Sequence, residues 1–220
     1  MNNLIQFGEI VEGYDIPVLN EREIRASAGI LFLATYTSLM FILFDGNFIL
    51  VKYVLAIFLP DLLIRVLINP RFSPILIIAR LIVRNQVPEY VGAQQKKFAW
   101  SIGIALSATM FYLFVFVNVY GPITGIICLI CLIFLFFEAA FGICLGCLVY
   151  PLFYKHKVQH CPGEVCDTRN RQAIQKVSPA QLIILILFIG SVFLASNVLL
   201  ERFSQPPHAM FKSSATVKSK

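Results

Sequence analysis

Apolar runs close to the length of a bilayer crossing occupy most of this chain, and its ionisable residues are gathered into the short stretches between them. A helix needs about 20 predominantly apolar residues to cross the hydrocarbon core. Only 14% of the residues are charged and 58% are hydrophobic, whereas a soluble domain carries about 25% charged residues. The fold class that follows is all-α: a polytopic helical bundle in a membrane.

Five spanning helices are expected, over about 26–44, 48–68, 98–119, 123–150 and 180–200. Asp45-Gly46-Asn47 and Tyr120-Gly121-Pro122 are tight-turn sequences that join helices one and two and helices three and four as hairpins. The apolar part of 71–84 is too short to span. With Arg80 and Arg84 four apart, it reads as a short helix in the interface plane, broken from helix two by Pro70 and Pro74. The organisation is then an N-terminal segment (1–25), a four-helix membrane core with the interfacial helix (26–152), a cysteine-containing loop (153–179), a fifth helix (180–200) and a disordered tail (201–220). The first 20 residues hold Glu9, Glu12 and Asp15 but no Lys or Arg, which is not the pattern of a cleaved signal peptide.

The net charge is +6. The cations are scattered through loops beside the spans, where membrane topology explains them and no nucleic-acid partner is needed. Five of the 18 Lys and Arg fall on one side (Lys52, Arg202, Lys212, Lys218, Lys220) and 13 on the other, with Arg65 counted there. The bias expects a cytoplasmic N-terminus in a bacterial inner membrane, with the lipid bilayer as the principal partner.

The fourth run is too long for one upright crossing. Its 28 residues make roughly 42 Å of helix against about 30 Å of hydrocarbon, so it must tilt, bend or leave its last turns among the headgroups. Those turns carry Cys144-Leu-Gly-Cys147, and a second pair follows in Cys161-Pro-Gly-Glu-Val-Cys166. Residues three apart share a helix face, and Pro-Gly is a turn signal that can bring Cys161 and Cys166 together. Three readings of the four sulfurs stay open. One is disulfide or persulfide exchange, helped by Lys155, His156, Lys157 and His160 nearby. Another is binding or transport of a soft metal such as zinc or copper by Cys144, Cys147, Cys161 and Cys166. The third is a structural or partner-binding subunit whose thiols are incidental. Quinone-linked disulfide exchange is a minor alternative, because the charge bias turns these thiols toward the cytoplasm. Cys128 and Cys131, about 20 Å deeper on a continuous helix, are expected to pack and not to join the site.

Ionisable residues inside the spans are the other candidates. Asp61 and Arg65 are four apart and neutralise one another; Glu138 has no counter-charge on its own helix. Asp61, Arg65, Arg80 and Glu138 are expected to form a polar cluster under the cytoplasmic surface, with Glu138 reaching Arg65 or Arg80. Gly142 and Gly146 make a small-residue face for close helix contact.

Several segments together resemble a known family: Leu19-Asn20-Glu21, Asp61-Leu-Leu-Ile-Arg65, Pro70-Arg71-Phe72-Ser73-Pro74, Lys97-Phe98-Ala99, and Glu138-Ala-Ala-Phe-Gly-Ile-Cys-Leu-Gly-Cys147 with Tyr150. They are similar to the uncharacterised bacterial membrane family called domain of unknown function 4395, over about 17–152. The resemblance implies a compact helical membrane domain with no established reaction. It favours sulfur or thiol chemistry with a soluble thioredoxin-like or sulfurtransferase protein as partner. Cys161 and Cys166 fall outside it.

Overall fold

The computed structural model describes residues 7–12, 14, 16–153, 174 and 176–209. It is a helical bundle with two small strand pairs, one at each end. Helix α1 (Glu21–Asp45) runs from the N-terminal end of the bundle to the other, and Gly46 in the left-handed conformation closes it. Helix α2 (Ile49–Leu63, extended by a π-helical turn, Ile64–Ile68) returns alongside it. A 3-10 turn (Pro70–Phe72) leads into the short α3 (Pro74–Val83). Helix α4 (Ala93–Phe111, with a π-helical end to Val117) crosses again, and α5 (Pro122–Phe136, with a π-helical end to Phe141) comes back. The short α6 (Leu145–Phe153) and the long α7 (Pro179–Ser204) complete the chain.

Four of these helices are long and apolar enough to cross a membrane: Glu21–Asp45, Ala93–Val117, Pro122–Phe141 and Pro179–Ser204. The remaining expected span, 48–68, is helical over 49–68 but carries Lys52, Asp61 and Arg65. All three are buried in the protein. Most large apolar side chains of α7 face outward, among them Ile183, Ile186, Leu187, Phe193, Leu194 and Val198. Water would penalise such a surface and lipid would not.

The first helix begins five residues before its expected start at 26. Asn20 caps it, accepting from the Arg22 N–H through its side chain, and Glu21 and Glu23 fill the first turn. That is a favourable arrangement for the partial positive charge of a helix N-terminus. The same residues are held from outside by strand β1 (Val18–Asn20), which pairs antiparallel with β2 (Tyr90–Gly92).

Helix α3 is short, as expected, and one side of it packs against the bundle while Leu81 and Ile82 stay exposed. Ser73 caps it, accepting from the Leu76 N–H, and Ile75, Leu76, Ile77, Ala79 and Arg80 are buried against the bundle. Arg80 and Arg84 therefore do not act as a pair: Arg80 points inward and Arg84 is exposed. The tail is ordered further than expected, since α7 runs to Ser204 and strand β4 (His208–Ala209) pairs parallel with β3 (Val119–Tyr120).

Candidate functional site

The overlong fourth run resolves into a break. The π-helical turn Phe137–Phe141 ends at Gly142, which adopts φ 69° in the left-handed region that favours glycine. Helix α6 starts three residues later, at Leu145. Glu138 is bound by Lys96, yet Gly146 lies against Ala99, almost a turn further into α4. The chain therefore doubles back after Gly142 and brings its cysteines down beside α4. A Cβ on Gly146 would stand 2.7 Å from the Ala99 Cβ, so glycine is what permits this approach. Gly142 and Gly146 thus do not form one helix face: the first makes the break and the second the contact.

Cys144 precedes the first turn of α6, and its Sγ accepts a hydrogen bond from the Cys147 N–H at 3.2 Å. Cys144 and Cys147 are joined as a disulfide, their Cα atoms 5.1 Å apart. The sulfur of Cys144 sits where a helix start favours negative charge. Arg25, from the second turn of α1, lies across Gly142 with its Cδ 3.3 Å from where a Cβ would be, and it donates to the Ala140 carbonyl at 3.2 Å. Cys161, Cys166, Lys155, His156, Lys157 and His160 lie outside the described residues.

Beneath the disulfide is a cavity of about 80 Å³ between α1, α2, α4, α5 and α6. Cys144, Glu138, Arg65, Ser27, Trp100 and Cys131 line it among apolar side chains. The doubling-back also explains why Cys131 shares a cavity with Cys144, since the axial distance expected for one continuous helix does not apply. Cys128 packs as expected, in an apolar cluster with Val51, Leu55, Met110, Phe114 and Leu132.

The expected polar residues are buried at this end, but in three separate sets. In the first, Arg65 pairs with Asp61 (2.6 Å), and Asp61 also accepts from the Ser73 hydroxyl (2.6 Å) and the Ile75 N–H (2.9 Å). The Arg65 guanidinium donates to Ser27 and lies 5.2 Å from the Trp100 ring centre, an attractive cation–π arrangement. In the second, Arg80 pairs with Glu23 at 3.0 Å, and Glu23 also accepts from Asn20. In the third, Lys96 lies between Glu21 (2.9 Å) and Glu138 (2.5 Å). Glu138 therefore reaches neither Arg65 nor Arg80. Arg65 is already paired with Asp61 on its own helix, Arg80 is drawn to Glu23, and Lys96 in the first turn of α4 pairs with Glu138. Sequence reasoning missed Glu21, Glu23 and Lys96. The signal was Asn20 followed by acidic residues, a helix-start pattern.

Outside the spans, Glu9 lies 3.5 Å from Arg71. Burial raises its carboxyl above the usual range, opposed by Arg80 and Arg71. The Tyr90 hydroxyl is buried and is pushed up to about 12 by burial, with Tyr14 and Glu9 adding to the shift.

The family described as domain of unknown function (DUF4395) matches residues 19–155. The chain belongs to the DUF4395 family. No curated protein and no solved structure matches it. The DUF4395 region takes in all three ion-pair sets, the break at Gly142, the Cys144–Cys147 disulfide and the cavity, while α7 lies beyond it. Among the described residues no group of three or more His, Cys, Asp and Glu is placed to hold a metal ion.

Proposed function

We propose that this DUF4395 protein is a membrane thiol–disulfide exchange protein working through Cys144 and Cys147. The observation that carries this reading is the disulfide at the start of α6, with the Cys144 sulfur accepting the Cys147 N–H. A Cys-x-x-Cys at a helix start has a thiolate stabilised by backbone N–H groups and the helix dipole, which makes it a good leaving group and a good nucleophile at neutral pH. The Arg25 guanidinium across Gly142 adds positive charge on the approach to the pair. Apolar helices long enough to cross a bilayer support a reaction at a membrane.

In the forward step, a thiolate of a soluble dithiol partner attacks one sulfur of the disulfide. The S–S electron pair passes to the other sulfur, and a mixed disulfide forms. The partner's second thiol then releases it, leaving Cys144 and Cys147 reduced and the partner oxidised. On this reading the partner is a thioredoxin-like or sulfurtransferase protein at the cytoplasmic face. Cys161 and Cys166 are the second pair, exchanging with the first.

The test is alkylation mass spectrometry of the protein in lipid nanodiscs across a series of redox potentials. Cys144 and Cys147 are expected to pass together from blocked to alkylated at a single midpoint, and a Cys→Ser change at either position is expected to trap a mixed disulfide with a small dithiol. Cysteines that stay locked, or stay free, at every potential reached by cellular dithiols would refute the proposal.

A further inference from the structure

Disulfide reduction consumes two protons as well as two electrons, and Cys144 lines the cavity beneath the disulfide. The same cavity is lined by Glu138. At about 80 Å³ it is large enough to hold water, and it offers polar partners in Ser27, Arg65 and Glu138. Glu138 is also held unusually for a structural ion pair. Lys96 is shared by two carboxylates, those of Glu138 and Glu21, so the set carries one negative charge more than positive and can accept a proton without leaving an unpaired cation. From α1 the charged groups on this set are Glu21 and Arg25, from α4 Lys96, and across the cavity Arg65 with its partner Asp61.

We propose that Glu138 is the proton donor and acceptor for Cys144, acting through water in this cavity. The proposal rests on the thiol-exchange reading above. On reduction, the incoming thiolate bonds to the Cys147 sulfur and the S–S pair leaves on Cys144. A proton moves from the Glu138 carboxyl, through water, to the Cys144 thiolate. On re-oxidation the Cys144 thiol returns that proton to the Glu138 carboxylate, and the thiolate attacks the mixed disulfide at Cys147. Glu21 and Lys96 hold Glu138 in place and re-equilibrate its proton with the bundle end.

The experiment follows reduction of the Cys144–Cys147 disulfide by dithiothreitol in nanodiscs, with the rate expressed per dithiothreitol thiolate. In Glu138→Gln the rate is expected to be lower by about tenfold or more, and Glu138→Asp restores it. Ala28→Ile, on the cavity wall, leaves Glu138 and Lys96 in place but displaces the water, and is expected to slow reduction like Glu138→Gln. This second variant keeps the test decisive should Glu138→Gln fail to fold. A Glu138→Gln rate that coincides with wild type, a faster reaction in that variant, or an Ala28→Ile rate equal to wild type overturns the relay. If the disulfide cannot be cycled in the wild type, it is the exchange reading itself that fails.

Discussion

Asp61 shows what a buried charge in this bundle is for. Its two carboxylate oxygens accept from the Arg65 Nε, the Ser73 hydroxyl and the Ile75 N–H, and the Arg65 Nη2 stands 2.6 Å away as its ion-pair partner. It thereby caps the start of α3, neutralises Arg65 and ties α2 to both. Asp61→Ala would leave Arg65 buried without its counter-ion, and removing one partner of such a pair costs about 3–5 kcal/mol. We expect a large drop in folded yield and thermal midpoint for Asp61→Ala, and near wild-type thiol cycling in whatever protein folds. A loss of cycling in well-folded Asp61→Ala would move this pair from scaffold to chemistry. Tyr90 gives a prediction in pH. Its hydroxyl titrates at about 12 in the folded chain against 10.0 ordinarily. Because the folded value is raised, the folded state holds this proton more tightly than the unfolded state. The contribution is present below pH 10 and is lost as pH climbs from 10 to 12. Tyr90→Phe is expected to remove that segment of the alkaline stability curve, read by thermal unfolding at successive pH values.

At the level of elements, the apolar runs were legible because period and composition decide whether a run can cross a bilayer, and four of the five expected spans contain helices long and apolar enough to do so. The break in the fourth run was legible as excess length, though not its direction. That the chain doubles back depends on Gly142 adopting positive φ and on Gly146 fitting against Ala99, which are tertiary facts. The start of α1 was hidden for a different reason: Glu21, Arg22, Glu23 and Arg25 read as a polar flank, whereas Glu21 and Glu23 are buried against Lys96 and Arg80 from other helices. The pairing of Glu138 was beyond sequence reasoning because three cations compete for it and only packing decides among them. Gly146→Ala tests the doubling-back. A methyl there meets the Ala99 backbone Cα at 2.9 Å as well as its Cβ, so α6 must move away from α4. Overpacking of this kind costs about 1–3 kcal/mol. The expected signature is faster alkylation of Cys144 and Cys147 after mild reduction, with the far end of the bundle unchanged in hydrogen exchange.

Across the whole molecule the two ends are built differently. The end that carries the disulfide holds the three ion-pair sets, whereas the opposite end is closed by Lys52. That lysine is fully buried in α2 and its Nζ donates to the Asn118 side chain (2.9 Å) and to the carbonyls of Arg202 (3.3 Å) and Gln205 (2.6 Å). These carbonyls close the C-terminal end of α7, where a cation is favoured. Asn118, in the left-handed conformation, donates to the Pro206 carbonyl beside them. At the disulfide end Gln181 donates to the Arg71 carbonyl. Helix α7, which lies beyond the family region, is thus clamped to it by polar contacts near each end, Gln181 at one and Lys52 and Asn118 at the other, while most of its length faces lipid. A lipid-facing helix gains little from apolar burial against its neighbours, so the polar clamps decide whether it stays. Lys52→Met keeps the volume of the side chain but removes the shared donor of three part-buried acceptors. The expected outcome is faster hydrogen exchange over 196–207, and release of α7 by limited proteolysis, with residues 21–150 still folded and the disulfide still cycling. Protection of α7 equal to wild type would show that apolar contact alone retains it, and unfolding of the entire bundle would show that Lys52 supports the family domain itself.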